Sequence, residues 1–185
     1  GAGVWSKTPQ ECLKREDVLA EYEKMCDGYD KMTAAKQVTV ETLKSWLDDP
    51  NSKVVLLDTR TPAEYEHAVI SRDAKLLEPS GAGMALTMAS GRALTFNTAV
   101  PSKSSIDPEA KVVAYCTAGL RSGFACTSLD RSWNAEVKDR ELYSLHGGII
   151  AWVNAGYPVY DPATGEERHE VHAYAHKWGK FVCPT

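Results

Sequence analysis

Lys111-Val112-Val113-Ala114-Tyr115-Cys116-Thr117-Ala118-Gly119-Leu120-Arg121-Ser122 changes texture at one residue, Cys116. Before it runs a continuous apolar stretch, the pattern of a strand buried on both faces. After it comes a short loop containing a glycine, and Leu120 to Leu129 reads as helix. A backbone curled in this way aims successive N–H groups inward. The following helix adds its own unpaired N–H groups and the positive end of its dipole. A cysteine at the centre of that ring is expected to lose its proton more easily than the ordinary thiol, near about 8.5. Arg121 brings a full positive charge, and Gly119 lets the loop turn where a side chain would collide. Ser122 stands where it could cap the helix or hydrogen-bond within the loop, and both roles stay open. The expected product is an anion cradle around a sulfur nucleophile.

Outward from this stretch, the same alternation repeats. Lys53-Val54-Val55-Leu56-Leu57-Asp58 reads as a second buried parallel strand, and Thr61-Pro62-Ala63-Glu64 opens a helix behind it. Asp58 and Arg60 fall at the C-terminal end of that strand, where ligands gather in open α/β sheets. An ion pair or turn anchor is the preferred role for Asp58, and a narrower preference for Arg60. Val38-Thr39-Val40 is expected to be a short strand, followed by a helix from Glu41 to Leu47 with Leu43, Trp46 and Leu47 on one face. Glu141 to Leu145 is the third strand in line, and a turn at Gly147-Gly148 leads into a helix over Ile149 to Ala155. Strands alternating with helices predict an α/β domain of three layers, with a central, mainly parallel sheet flanked by helices. Residues 77–105, rich in Gly, Ala, Ser and Thr, form a long connection expected to hold one or two short helices around Met84-Ala85-Leu86.

The domain proper is expected over residues 37–160. Residues 1–36 read as a helical extension, from Thr8-Pro9-Gln10-Glu11 as a start signal through Leu13, Val18, Leu19, Tyr22 and Met25 at helical spacing. Residues 161–185 are expected to be a helical extension packed on the domain. There His169, His172 and His176 could share a helical face, and Tyr174, Trp178 and Phe181 would dock it.

The 185 residues carry a net charge of -4, with 43% hydrophobic and 25% charged residues. That balance suits a globular domain and speaks against nucleic acid or an anionic membrane as partner. No apolar run approaches the roughly 20 residues of a membrane helix. Five cysteines, Cys12, Cys26, Cys116, Cys126 and Cys183, form no paired framework. Free thiols in a reducing compartment are expected, hence the cytoplasm, with an organelle left open. Cys126 reads as buried packing and Cys183 as an incidental surface thiol near a mobile end. No Cys-x-x-Cys pair and no His-Glu-x-x-His pattern is present, so neither metal nor cofactor is expected.

Three elements together resemble a known family. Asp58-Thr59-Arg60 followed by Glu64-Tyr65 resembles the DxR…E(Y/F) element of the rhodanese family. Cys116 to Ser122 is similar to its active-site loop, CxxGxRS. Leu145-His146-Gly147-Gly148-Ile149-Ile150-Ala151-Trp152, then Gly156-Tyr157-Pro158-Val159, is similar to its closing element. The resemblance spans residues 38–160. It implies sulfur transfer through a persulfide on Cys116, cradled by Thr117, Ala118, Gly119, Leu120, Arg121 and Ser122. It also implies a donor such as thiosulfate or a persulfide, and a thiol or cyanide acceptor, either of which could be carried by a protein. One segment departs from the family: Glu66 to Ala74 lacks the usual glycines and proline. A phosphatase or arsenate reductase on the same scaffold would need a wider loop than the four residues between Cys116 and Arg121. A non-enzymatic binding module is the other class, and the presence of both Cys116 and Arg121 speaks against it.

Overall fold

The apolar runs that predict strands do form a sheet, and their alternate residues feed two separate cores. A computed structural model describes residues 3–5, 14–133, 141–169, 171–173 and 179–184. In chain order these give β1 (Gly3–Trp5), α1 (Arg15–Asp30), β2 (Lys36–Val38), α2 (Val40–Asp48) and β3 (Val54–Asp58). Next come α3 (Pro62–His67), β4 (Lys75–Leu76), α4 (Gly81–Ser90), β5 (Lys111–Tyr115) and α5 (Leu120–Trp133). The chain closes with β6 (Leu142–Leu145), α6 (Gly148–Asn154), β7 (Val159–Tyr160), β8 (Glu167–Arg168) and β9 (Val171–Ala173).

The central sheet has the order β2-β6-β5-β3-β4, with every pairing parallel. Side chains alternate across it, as the pleat requires. Leu56, Val113 and Tyr115 face the core built with α1, α2 and α6 through Tyr22, Leu43, Ile150 and Trp152. Leu57, Val112 and Ala114 face the opposite core, built with α5 through Cys126, Leu129 and Trp133. This is the three-layer α/β arrangement expected from the sequence.

Several local expectations are corrected. The strand placed at Val38-Thr39-Val40 lies two residues earlier, because Thr39 instead caps α2, its hydroxyl accepting from the Thr42 N–H at 3.2 Å. The described part of residues 161–185 holds two short strands: β8 completes an antiparallel hairpin with β7, and β9 pairs antiparallel with β1. The Asp161-Pro162-Ala163-Thr164-Gly165 turn explains the hairpin, since the Asp161 carboxylate takes the N–H groups of Ala163 and Thr164 and Gly165 adopts φ +73°. His169 therefore sits in a bend and His172 on a strand, so the proposed helical face does not exist there. His176, Tyr174, Trp178 and the start signal at Thr8 to Glu11 lie outside the described residues. Cys183 is neither free nor at the surface: it is fully buried and disulfide-bonded to a partner outside the described residues. Cys26, Cys116 and Cys126 are free and buried. Among the described residues no helix is long and apolar enough to cross a membrane.

The segment Glu66 to Ala74 makes its return without glycine. Val69 exchanges backbone hydrogen bonds with Tyr160 at 2.8 Å in both directions, and the Tyr65 hydroxyl donates to the Ala74 carbonyl at 2.8 Å. Residues 77–105 hold α4, capped by Ser80 at one end and by Gly91 in the left-handed region at the other. They dock on α5 where Leu94 N–H donates to Ser128 Oγ at 2.7 Å.

Candidate functional site

β5 delivers Cys116 to the C-terminal edge of the sheet between β3 and β6, and α5 begins four residues later. Gly119 takes φ +104°, which turns its N–H onto Cys116 Sγ at 3.1 Å. Ser122 Oγ lies 3.5 Å from the same sulfur and shares a 2.8 Å hydrogen bond with Ser144 Oγ of β6. Of the two roles open to Ser122, the structure therefore supports the bond within the loop.

Arg121 is held by Glu64 and Thr117. Its Nη1 and Nη2 donate to Glu64 Oε2 and Oε1 at 2.9 and 3.0 Å, and Nη2 also donates to Thr117 Oγ1 at 2.8 Å. Thr117 Oγ1 in turn donates to Glu64 Oε1 at 2.7 Å. Glu64 is fully buried and belongs to the first turn of α3, where it completes a capping box with Thr61. Burial alone would raise its pKa. The hydrogen bonds and charge of Arg121, then the charge of Arg60, outweigh that and bring it to about 2.

The loop is held from its other side by the Gly147-Gly148 turn. Gly147 and Gly148 adopt φ +75° and +59°. Ile149 N–H donates to the Cys116 carbonyl at 2.9 Å, and Ile150 N–H to the Thr117 carbonyl at 3.3 Å. A Cβ on Gly148 would stand 2.4 Å from those two carbonyl oxygens, so only glycine lets the backbones approach this closely.

Every residue of this arrangement falls within 39–155, the stretch that matches the Rhodanese-like domain family. The chain belongs to that family. A sulfurtransferase of Allochromatium vinosum is 30% identical to this rhodanese-like chain over 127 residues, covering 68% of it and 95% of the relative. Among solved structures, a thiosulfate sulfurtransferase from Pseudomonas aeruginosa has a TM-score of 0.47 and 23% identity. The match covers 71% of this chain and 20% of that protein. A rhodanese-like domain protein from Staphylococcus aureus has a TM-score of 0.42 and 21% identity, over 63% of this chain and 90% of that one.

Asp58 and Arg60 form a fully buried pair beside the rhodanese-like loop rather than in it. Arg60 Nε and Nη2 donate to the two Asp58 oxygens at 2.9 and 2.7 Å, and Nη2 also donates to the Ala68 carbonyl at 2.6 Å. The Arg60 guanidinium lies over the Tyr115 ring, 5.5 Å from its centre. Burial would lower the Arg60 pKa, but the Asp58 charge and hydrogen bonds raise it overall, so Arg60 keeps its proton. Its contacts brace the return from β3 and support the structural reading. Cys126 lies on the far side in the α5 core, and burial raises its pKa well above the ordinary thiol.

Sequence reasoning missed three contributors. Glu64 was legible as a helix cap, yet nothing local signalled that its carboxylate also holds Arg121. Ser144 looked like one more strand residue. Tyr22, on α1 and outside the matched stretch, donates its hydroxyl to the Gly147 carbonyl and lies 3.4 Å from the Thr117 carbonyl.

Proposed function

We propose that this chain is a sulfurtransferase that carries a sulfane sulfur on Cys116. The observation that carries the reading is the interior of the loop. Cys116 Sγ faces the Gly119 N–H and the Ser122 hydroxyl, while the guanidinium of Arg121 is paired with Glu64. A loop that must clamp a phosphate or arsenate needs an inward positive charge. A loop that must hold one added sulfur needs inward N–H groups and little room, and this loop fits that case. Arg121 props the loop through Glu64 and Thr117. Thr117, Ala118, Gly119, Leu120 and Ser122 supply the backbone and hydroxyl surroundings of the persulfide.

The reaction is a double displacement. The Cys116 thiolate attacks the outer sulfur of thiosulfate or of a persulfide donor. A new S–S bond forms as the donor's own bond to that sulfur breaks, and sulfite or a thiolate leaves with the electron pair. A thiol or cyanide then attacks the outer sulfur of the Cys116 persulfide, taking it away as a persulfide or thiocyanate and returning the thiolate. Either partner could be a protein. The Allochromatium vinosum relative supports sulfur transfer in general, and the choice of donor and acceptor is our proposal. The disulfide at Cys183 favours an organellar or other oxidising compartment over the reducing cytoplasm that free thiols implied.

Intact mass after incubation with thiosulfate tests the reading. A gain of one sulfur, absent from Cys116→Ser, together with thiocyanate production that the variant loses, is expected. Phosphate-ester hydrolysis without a sulfur adduct would overturn it in favour of a phosphatase, and neither reaction would leave a binding module.

A further inference from the structure

The proposed nucleophile is closed off from solvent. Cys116 is 2% exposed, and α1 lies against its loop. Tyr22 of α1 holds the Gly147 carbonyl, and Tyr22 and Cys26 join the buried cluster that contains Ala118. Asp30, at the end of α1, reaches within 3.9 Å of where a Cβ on Gly119 would stand. Just beyond the helix, Thr33 packs so tightly on Gly123 that a Cβ there would meet its hydroxyl at 2.8 Å. All of this cover comes from before residue 39, outside the stretch matched by the family. A sulfur donor cannot meet a buried Sγ until something moves, and an added element held by polar contacts is suited to that movement.

One side chain fastens the end of α1 to the catalytic turn. His146 immediately precedes Gly147-Gly148, and its backbone N–H is fixed to the Val38 carbonyl at 2.9 Å. Its Nδ1 lies 2.5 Å from Asp30 Oδ2 and its Nε2 2.6 Å from Glu23 Oε1, with Asp27 Oδ1 at 4.0 Å. Ionised carboxylates only accept, so two such contacts require protons on both ring nitrogens, that is, an imidazolium. A neutral ring would turn a lone pair toward one of the carboxylates. The charged groups facing His146 are Glu23, Asp27 and Asp30 on α1, with Arg15 of α1 and Glu41 of α2 in the adjoining cleft of about 410 Å³. Tyr22 and Cys26, the titratable groups on the inner side of α1, are held protonated, chiefly by burial. The cleft reaches the imidazole, so it exchanges protons with solvent.

We propose that α1 is a lid over the Cys116 loop, latched by the imidazolium of His146 between Asp30 and Glu23 and loosened when that ring loses a proton. This rests on the reading of Cys116 as the nucleophile. Burial lowers the pKa of His146, and the hydrogen bonds and charges of Asp30 and Glu23 outweigh it, so the net direction is upward. A raised folded value means that the latch is fully present below the ordinary histidine range. It is lost as pH rises through the raised value. Burial raises the pKa of Asp30 against the pull of His146, so the latch also fails in acid once that carboxyl takes a proton.

The test is site-resolved alkylation of Cys116 by iodoacetamide from pH 6 to 9.5, comparing the full chain with His146→Gln. It needs no sulfur transfer, so it separates this proposal from the sulfurtransferase reading. Taking the ratio of the two rates at each pH removes the ionisation of the thiol itself. The variant is expected to react about tenfold faster at pH 6, and the ratio to fall toward one by pH 9.5. A ratio near one throughout overturns the latch. Hydrogen exchange of the α1 amides in the unaltered chain decides the matter should the variant fail to fold. After correction for intrinsic rates, protection of residues 22–30 must fall between pH 6 and 9.5 while that of β5 holds, and unchanged protection of α1 overturns the proposal.

Discussion

Arg121 and Glu64 face each other fork to fork, with two nitrogens on two carboxylate oxygens at 2.9 and 3.0 Å. The contact joins the start of α5 to the start of α3 and so sets how the Cys116 loop leaves β5. Glu64 is fully buried, whereas the Arg121 side chain keeps 14% of its surface exposed. The two ends of the pair are therefore unequal, and removing the buried one takes from Arg121 its paired carboxylate in a partly dry site.

Glu64→Gln should lower folding stability by about 3 kcal/mol, measured by urea unfolding at pH 7. The pH dependence checks the cause. A carboxyl held at about 2 stabilises the fold above its unfolded value and loses that contribution as pH falls toward 2. The unaltered chain should therefore lose about 3 kcal/mol from this group between roughly pH 5 and pH 2. The variant should show a shallower acid slope over that window. Equal slopes would mean that Glu64 is not the group responsible.

Gly148→Ala tests the closeness of the two backbones. The added Cβ would stand 2.4 Å from the Cys116 and Thr117 carbonyl oxygens, and φ +59° is strained for any residue with a side chain. Neither carbonyl is the end of a flexible chain, so the loop or the turn must shift. A loss of about 3 kcal/mol or more is expected, with Cys116 alkylation changed in whatever variant still folds. A melting temperature within about 2 °C of the unaltered chain would show that the approach is looser than described.

Legibility in the sequence followed the range of the interactions. The central strands were readable because a buried parallel strand needs an unbroken apolar run, and Val54–Asp58 and Lys111–Tyr115 supply one. The Cys116 loop was readable because its glycine and its cysteine are close in sequence. What Arg121 does was not: its partner Glu64 lies 57 residues away, and a lone arginine after a cysteine looks like an anion clamp. The short strands β7, β8 and β9 were hidden for another reason. Two- and three-residue strands carry too little periodicity to distinguish from helix or coil. The histidines at 169 and 172 then invited a helical face that the hairpin turn at Asp161 to Gly165 rules out. The disulfide at Cys183 was also beyond reach, since an odd number of scattered cysteines gives no pairing.

That disulfide has a consequence for the site. Cys183 N–H donates to Asn154 Oδ1 at 2.6 Å, and its carbonyl accepts from Arg15 Nε of α1 at 3.0 Å. Asn154 Nδ2 donates to the Phe181 carbonyl at 2.8 Å, and the Phe181 ring lies 5.1 Å from Tyr22, which holds the Gly147 carbonyl. The C-terminal segment thus packs on α1 directly behind the contact with the Gly147-Gly148 turn. Reducing the disulfide leaves these contacts in place but returns conformational freedom to the unfolded chain, and frees the segment to detach locally. Reduction should lower stability by about 2–4 kcal/mol, read as a fall in the urea midpoint with little change in slope. It should also speed site-resolved alkylation of Cys116 at neutral pH by loosening α1. A midpoint unmoved by reductant, with the loss of the disulfide verified by mass, would mean that the bond adds nothing to the fold. A lower midpoint with unchanged Cys116 reactivity would confine its effect to the C-terminal segment and separate it from the cover over Cys116.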